Sequence, residues 1–465
     1  MRHDAQGYWI AEAGLSGRAP LESLTGDRGA DVVVVGGGYT GMWAAWRIKE
    51  REPGAEVVVL EADRCGFGPS GRNGGFVNSM WFSLPTMRAI FGDEKALTVA
   101  RLAGESVGQV GAWCEEQEVD AWFTPGGYLQ ASTAPHFDST WSAIVSSCEE
   151  LGAEGRVEEL DREATAARCA SPLFRCAAYY PQGATVQPAR LADGLRRRLL
   201  DAGVVIHERS AVRSVTEKGG EVVIAADMGT VRAKSCVLAA GSSLLRFRPL
   251  RRALTATSSH MVITEPVPDL IDELGWRGGE CITDSRAMVH YFRTTQDDRI
   301  AFGWGGGRIV RGARLGGRAE IDREMTSQVA EHLRRFFPQL AGRRIDHAWG
   351  GPIDVSPTHV PVVRTTGERT YAGFGYTGNG VGPSQMVGRA LASLALGVQD
   401  EHSRMAIVDP PRVRVPPEPF RFAGGTVIRR AILRKELAEE EDRVPGPITR
   451  MVSGIPERMG IHVGR

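Results

Sequence analysis

Lysine is nearly missing from this chain. Of 56 basic residues only five are lysines, Lys49, Lys95, Lys218, Lys234 and Lys435, so arginine carries almost all the positive charge. Surplus charge is missing too, since 56 Lys+Arg balance 56 Asp+Glu. A chain without excess basic charge is not built as a general nucleic-acid binder, because phosphate contacts are made with surplus cations. None of the seven cysteines forms C-x-x-C, and the closest pair, Cys169 and Cys176, is seven residues apart. This spacing argues against a metal site and a disulfide framework, and the odd count fits a reducing compartment. No run of 18 apolar residues occurs, so no membrane span is expected. The opening MRHDAQGYWIAEAGLSGRAP lacks the apolar core of a signal peptide. The expectation is a soluble, cytoplasmic protein.

Glycine, by contrast, is abundant: 57 of 465 residues, against about 7% in average proteins. No G-X-Y period runs through these glycines, which points to loops where backbone approaches a ligand. The length allows two or three domains. Asp31–Val35 is an apolar β-branched run broken by Gly36-Gly37-Gly38, then a helical pattern with Met42, Trp43, Ala45, Trp46 and Ile48, then a second apolar run, Val57–Leu60, ending in Glu61. Strand, helix and strand within about 30 residues make a βαβ unit. Residues 257–310 alternate apolar and polar positions, as an antiparallel sheet does. Pro410, Pro411, Pro416, Pro417 and Pro419 mark a linker before a charged helix at 426–443, expected to be solvated and packed against the body.

Gly36-Gly37-Gly38-Tyr39-Thr40-Gly41 satisfies G-x-G-x-x-G between a strand and a helix. Gly36 permits the tight turn, Gly38 lets backbone approach a pyrophosphate, and Gly41 allows close packing of helix on strand. Glu61, 20 residues beyond Gly41, is placed to accept hydrogen bonds from a ribose. A second glycine-rich loop, GFGPSGRNGG at 66–75, follows at once, and its Ser70, Arg72 and Asn73 offer a hydroxyl, a guanidinium and an amide. A third, GFGYTGNGVGPS at 373–384, opens a helix. Three such loops exceed what an NAD site requires, and an extended FAD explains them better.

Together with PQGATVQPARLADGLRRRLLDAGV at 181–204, AAG at 239–241 and WGGPIDVSP at 349–357, these motifs resemble the D-amino acid oxidase superfamily of flavoproteins over about residues 28–400. The combination is most similar to the branch containing gamma-glutamylputrescine oxidase and related amine oxidases. The resemblance implies an α/β fold with α+β elements: a Rossmann-type, glutathione reductase-like FAD-binding domain (30–90, 160–250 and 345–400) interrupted by an antiparallel-sheet substrate domain (91–159 and 251–344). An N-terminal arm (1–29) and a Pro-rich linker with a C-terminal helix (401–465) would flank them. By the same likeness Gly36, Gly38, Tyr39, Thr40, Gly41, Glu61, Ala62, Ser70, Gly71, Arg72, Asn73, Gly74 and Gly75 bind FAD. Val212 would pack by the adenine, Ala240 and Gly241 would lie under the diphosphate, and Gly378, Asn379, Gly380 and Val381 would hold the flavin and ribityl chain.

The implied chemistry is oxidation of the C–N bond of a primary or secondary amine or amino acid, by hydride transfer to flavin N5. The imine would hydrolyse to an aldehyde or keto acid, and O2 would take the electrons to give H2O2. Some sarcosine oxidase relatives tether flavin to a cysteine matching the segment 347–357, which has none here, so non-covalent FAD is expected. Some also place a lysine above the flavin. None of the five falls in 286–305 or 345–360, so a dehydrogenase using a non-oxygen acceptor stays open beside the oxidase, as does a non-catalytic flavin-binding protein. On the substrate side His290, Tyr291, Arg293 and Trp349 are the candidates. Tyr291 and Arg293 share one strand face, where a phenol and a guanidinium could bind an anionic substrate group. Trp304 and Trp349 either wall an apolar pocket or sit in the core, and His359 reads as a loop residue.

Overall fold

The computed structural model describes residues 1–462. The valine run becomes the end of the strand Gly26–Val35, whose last four residues are buried. Parallel neighbours flank it, Val57–Leu60 on one side and Gly229–Leu238 on the other. Burial on both faces is what a continuous apolar run, rather than an alternating one, specifies. The strand Gly229–Leu238 serves two further pairings: residues 230–233 pair antiparallel with Glu221–Ala226, and residues 236–238 pair parallel with Thr370–Phe374. This sheet has eight strands and carries the fingerprint helix Tyr39–Arg51 on one face.

A second, nine-stranded sheet runs in the order Arg2–His3, Ile345–Val355, Thr255–Thr264, Ile300–Trp304, His290–Thr294, Cys281–Asp284, Tyr128–Ala131, Ala177–Tyr180 and Glu158–Leu160. Its pairs are antiparallel except at two joints, Arg2–His3 on Ile345–Val355 and Tyr128–Ala131 on Cys281–Asp284. One face is an apolar layer under the helix Arg323–Phe336, where Phe292 and Phe302 are register partners with rings stacked 5.1 Å apart. The other face turns toward the first sheet. Period-2 alternation therefore sends His290 and Phe292 one way and Tyr291 and Arg293 the other.

Four features go beyond the sequence expectations. The N-terminal arm, 1–29, has regular structure of its own: Gly7–Glu12 is a helix whose Tyr8, Trp9 and Ile10 are buried, and Arg2–His3 adds an edge strand. Six helical residues are too few to show a 3.6 period. The strands Ala177–Tyr180 and Ile345–Val355, expected with the FAD-binding domain, hydrogen-bond into the nine-stranded sheet instead. The helix Asp93–Glu116, expected in the substrate domain, packs on the fingerprint helix, with Trp113 edge-on to Trp43 and Trp46. Finally, the tail helix Phe420–Glu440, expected to be solvated and packed against the body, has a buried side. It buries Arg421, Ala431, Ile432, Glu436 and Glu439 and roofs the space between the sheets.

Candidate active site

Between the two sheets lies a cavity of about 1160 Å³, at the upper end of what small-molecule and cofactor sites occupy. Residues 36–40 form one wall. Gly36 has φ +112, and a Cβ there would lie 2.5 Å from the Ala239 carbonyl oxygen, so only glycine makes this turn. A Cβ on Gly41 would lie 2.0 Å from the Gly36 carbonyl oxygen and 3.0 Å from Val34, which fixes how closely helix and strand approach. Gly41 shapes the site without lining it. Gly38 itself offers no side chain to cap the helix, and the first-turn amide of Tyr39 is held instead by Ser70 Oγ at 2.9 Å, at the edge of the cavity. Such an end attracts anionic oxygens.

Glu61 and Ala62 line the wall beyond the next strand. Glu61 accepts from Gly37 N at 2.7 Å and from Asp63 N at 2.9 Å, and burial pushes its carboxyl pKa upward. Val212, Ala240 and Gly241 continue the wall. The 66–75 loop departs from the expectation in one respect: its polar side chains mostly hold the loop itself. Arg72 binds Ala5 O at 2.8 Å and Glu320 at 3.1 Å, and Asn73 binds Pro69 O, Ser70 O and Gly75 N. Ser70, Arg72, Asn73 and Gly74 still border the cavity, whereas Gly71 and Gly75 pack beneath, against Gly66 O and Val186 O. Opposite, Gly378, Asn379, Gly380 and Val381 line the start of the helix Val381–Ala395, again without a side-chain cap. Tyr376 OH bonds Thr40 Oγ1 at 2.6 Å and ties this loop to the fingerprint. That contact spans 336 positions, and no local pattern announces it.

The substrate-side candidates separate. Tyr291 reaches the cavity, its ring held between Gly74 and Gly303, where a Cβ would come within 3.1 Å and 2.1 Å of ring atoms. Its hydroxyl lies 2.8 Å from Ser259 Oγ, which donates to Trp304 O at 3.1 Å. Burial pushes the Tyr291 phenol up to about 12, so it is neutral near pH 7. Arg293 shares the face but not the cavity. Its guanidinium is buried, donates to Thr294 O, Gly75 O and Val186 O, and sits 5.3 Å from the Trp9 ring. Burial lowers its pKa to about 10. The strand face is open at 291 and roofed at 293, a difference alternation cannot show.

His290 points to the opposite side, hydrogen-bonded to Asp284 at 2.6 Å and His332 at 2.8 Å and stacked on Trp304. Trp304 likewise anchors the core, donating to Met288 O at 3.0 Å. Trp349 is buried at the cavity wall, with its indole N–H on Arg72 O at 2.8 Å, so it positions the 66–75 loop. His359, at φ 57, lines the rim edge-on to His462. Residues that sequence reasoning did not single out complete the wall: Ser259, Arg246, Asp354, and from the tail Arg429 and Ile432. The tail bears no motif, and only the mixture of Ile428, Ala431 and Ile432 with arginines signals a buried side.

An extended dinucleotide fits this cavity: two uncapped helix starts face it, and at Gly38 an added Cβ would meet only Ser70 Oγ, at 3.0 Å. A family profile described as FAD dependent oxidoreductase matches residues 31–394. A gamma-glutamylputrescine oxidoreductase of Escherichia coli (strain K12) is 30% identical over 437 residues, 92% of this chain and 96% of the relative. A probable oxidoreductase OrdL of Rhizobium meliloti (strain 1021) is 28% identical over 438 residues, 92% of this chain and 95% of the relative. Among solved structures, glycine oxidase from Geobacillus kaustophilus superposes with a TM-score of 0.66 at 18% identity, covering 80% of this chain and 96% of that one. L-proline dehydrogenase from P. horikoshii gives 0.65 at 19% identity, covering 83% and 96%. These two likenesses speak for the fold. With the profile spanning most of the chain, the protein belongs to the FAD dependent oxidoreductase family and is an enzyme of the amine and amino acid oxidase type.

Proposed function

We propose that the enzyme oxidises the carbon–nitrogen bond of a primary or secondary amine or amino acid, with FAD bound non-covalently. FAD, when bound, supplies the acceptor for the electron pair leaving the substrate carbon. The observation that carries the reading is the Tyr291–Ser259 pair at the cavity wall. Ser259 gives its one proton to Trp304 O, so Tyr291 donates to Ser259 and its free lone pairs face the cavity. A neutral phenol oxygen held this way accepts an amine N–H and orients the nitrogen without removing a proton from it. The mostly apolar walls, including Met261, Met288 and Ile353, exclude water and favour the uncharged amine, the form whose nitrogen lone pair can assist loss of hydride. Trp349 and Arg72 fix the loop that borders the same space. The free cysteines of the chain support a cytoplasmic setting.

A second reading, a dehydrogenase that passes electrons to an acceptor other than O2, draws on the cavity wall, whose cations among the described residues are all arginines. One experiment tests both. Anaerobic addition of an amine or amino acid panel should bleach the yellow holoenzyme. Return of colour with H2O2 on admitting air identifies an oxidase, and slow return with a dye acceptor identifies a dehydrogenase. No bleaching across the panel refutes amine oxidation. Tyr291→Phe should keep its flavin and bleach about 10-fold more slowly, the effect of one hydrogen bond.

A further inference from the structure

Resting on that reading, we propose that Arg429 of the tail helix is a specificity-determining residue that receives an anionic group, of the carboxylate class, on the amine substrate. Among the described residues, five arginines border the cavity. Three are neutralised by carboxylates: Arg72 by Glu320, Arg213 by Asp227 and Arg421 by Glu418. Arg246, which ends the turn that begins at Gly241, also has no ion pair among the described residues, but no hydrogen bond fixes its guanidinium. Arg429 stands apart. Its Nε donates to Gly306 O at 2.9 Å and its Nη2 to the same oxygen, which clamps the guanidinium plane against the loop after Ile300–Trp304. That loop begins one residue after Trp304, whose carbonyl receives the Ser259 hydroxyl paired with Tyr291.

No ion pair reaches Arg429 among the described residues. Asp322 and Glu324, the acids whose charge acts on Arg429, are already engaged by Arg308 and Arg318. Burial lowers the pKa of Arg429, and Arg308 and Arg430 add repulsion. A half-buried guanidinium held by one neutral carbonyl is poorly compensated, and a carboxylate on its remaining N–H groups restores that compensation with charge-assisted bonds. The same wall would therefore carry two contacts, an N–H acceptor at Tyr291 and an anion receptor at Arg429. Arg429 lies beyond residue 394, where the family match ends, so this element of substrate choice belongs to the tail.

The holoenzyme is titrated with butyrate and glutarate, and with butyramide as the neutral twin, following the flavin absorption bands. Saturable perturbation by the carboxylates alone is expected in the wild type. Arg429→Gln should weaken their apparent Kd at least 30-fold, and Arg429→Lys should recover part of it. Equal flavin content and Tm in the three proteins keep the comparison valid, and flavin loss in Arg429→Gln would itself overturn the assignment by placing Arg429 at the cofactor. Unchanged carboxylate binding in Arg429→Gln, or none in the wild type, overturns it as well. The titration needs no turnover. Failure to bleach with any amine therefore refutes the oxidation reading separately.

Discussion

Replacing Arg293 with lysine separates a structural cation from a substrate-binding one. The guanidinium makes three charge-assisted bonds to carbonyls, to Thr294, Gly75 and Val186, and stacks near Trp9. A lysine keeps the charge but has a single nitrogen, which reaches two of those carbonyls at most. Each lost bond from a charged donor is worth about 1.5–3 kcal/mol, and the weakened contact with Trp9 adds about 0.5–1 kcal/mol. The expected loss is about 2–4 kcal/mol. A chain of 465 residues unfolds with an entropy near 1 kcal/mol per kelvin if it melts as one unit, since each residue contributes about 2.1 cal/mol/K. Arg293→Lys should therefore lower Tm by about 2–4 °C. Because the lost bonds hold Gly75, next to the loop at the cavity, flavin release should become easier. Differential scanning fluorimetry with intrinsic flavin emission reads both effects. KM should change alike for carboxylated and uncharged amines. An unchanged Tm with KM raised only for carboxylated amines would refute the reasoning and return Arg293 to the substrate.

Gly41→Ala should yield protein with at least 10-fold less bound flavin per chain, because its Cβ would sit 2.0 Å from the Gly36 oxygen; full flavin occupancy by absorbance would contradict the packing described. Acid or heat should release the flavin intact from a colourless polypeptide, and flavin remaining on the denatured chain would show a covalent link. Glu436 faces Met288 N, Arg286 and Asp284, and burial pushes its pKa from 4.5 up to about 7. The folded state thus binds a proton that the unfolded state releases, so the cost of Glu436 grows from pH 4.5 to 7 and is complete above. The Tm of Glu436→Gln relative to wild type should therefore rise between pH 5 and pH 8, and a flat difference would contradict that burial.

The fingerprint and its βαβ unit were legible because the residues that shape them are neighbours in sequence. Gly36 and Gly41 obey steric rules a few residues long, and the valines of Asp31–Val35 need no partner to show that both faces are covered. The correct face of Tyr291 was legible for the same reason, through alternation along one strand. What covers that face was not. Arg293 is roofed by Trp9, Gly75 and Val186, three segments brought together only by the fold. His290 lies on the face opposite Tyr291, and alternation assigns faces without saying which one borders the cavity. The tail reads as a solvated helix packed against the body because its acidic and basic residues cancel in composition, and which of them turn inward was not legible: Glu436 and Glu439 are buried and Arg429 lines the cavity.

The cavity wall begins at Val35 and ends at His462, drawing on almost the whole length of the chain. A binding site assembled across such separations is a statement about order in time as well as space. During synthesis the phosphate-compatible turn emerges long before the roof at Phe420–Glu440 that closes the space. Contacts of this sequence separation form slowly, because loop closure precedes the burial that rewards it. A shortened or incompletely synthesised chain should hold flavin weakly and lose the stabilisation that ligand binding confers on the folded state. Retention of the yellow cofactor then becomes a readout of whether the fingerprint and the tail helix have met.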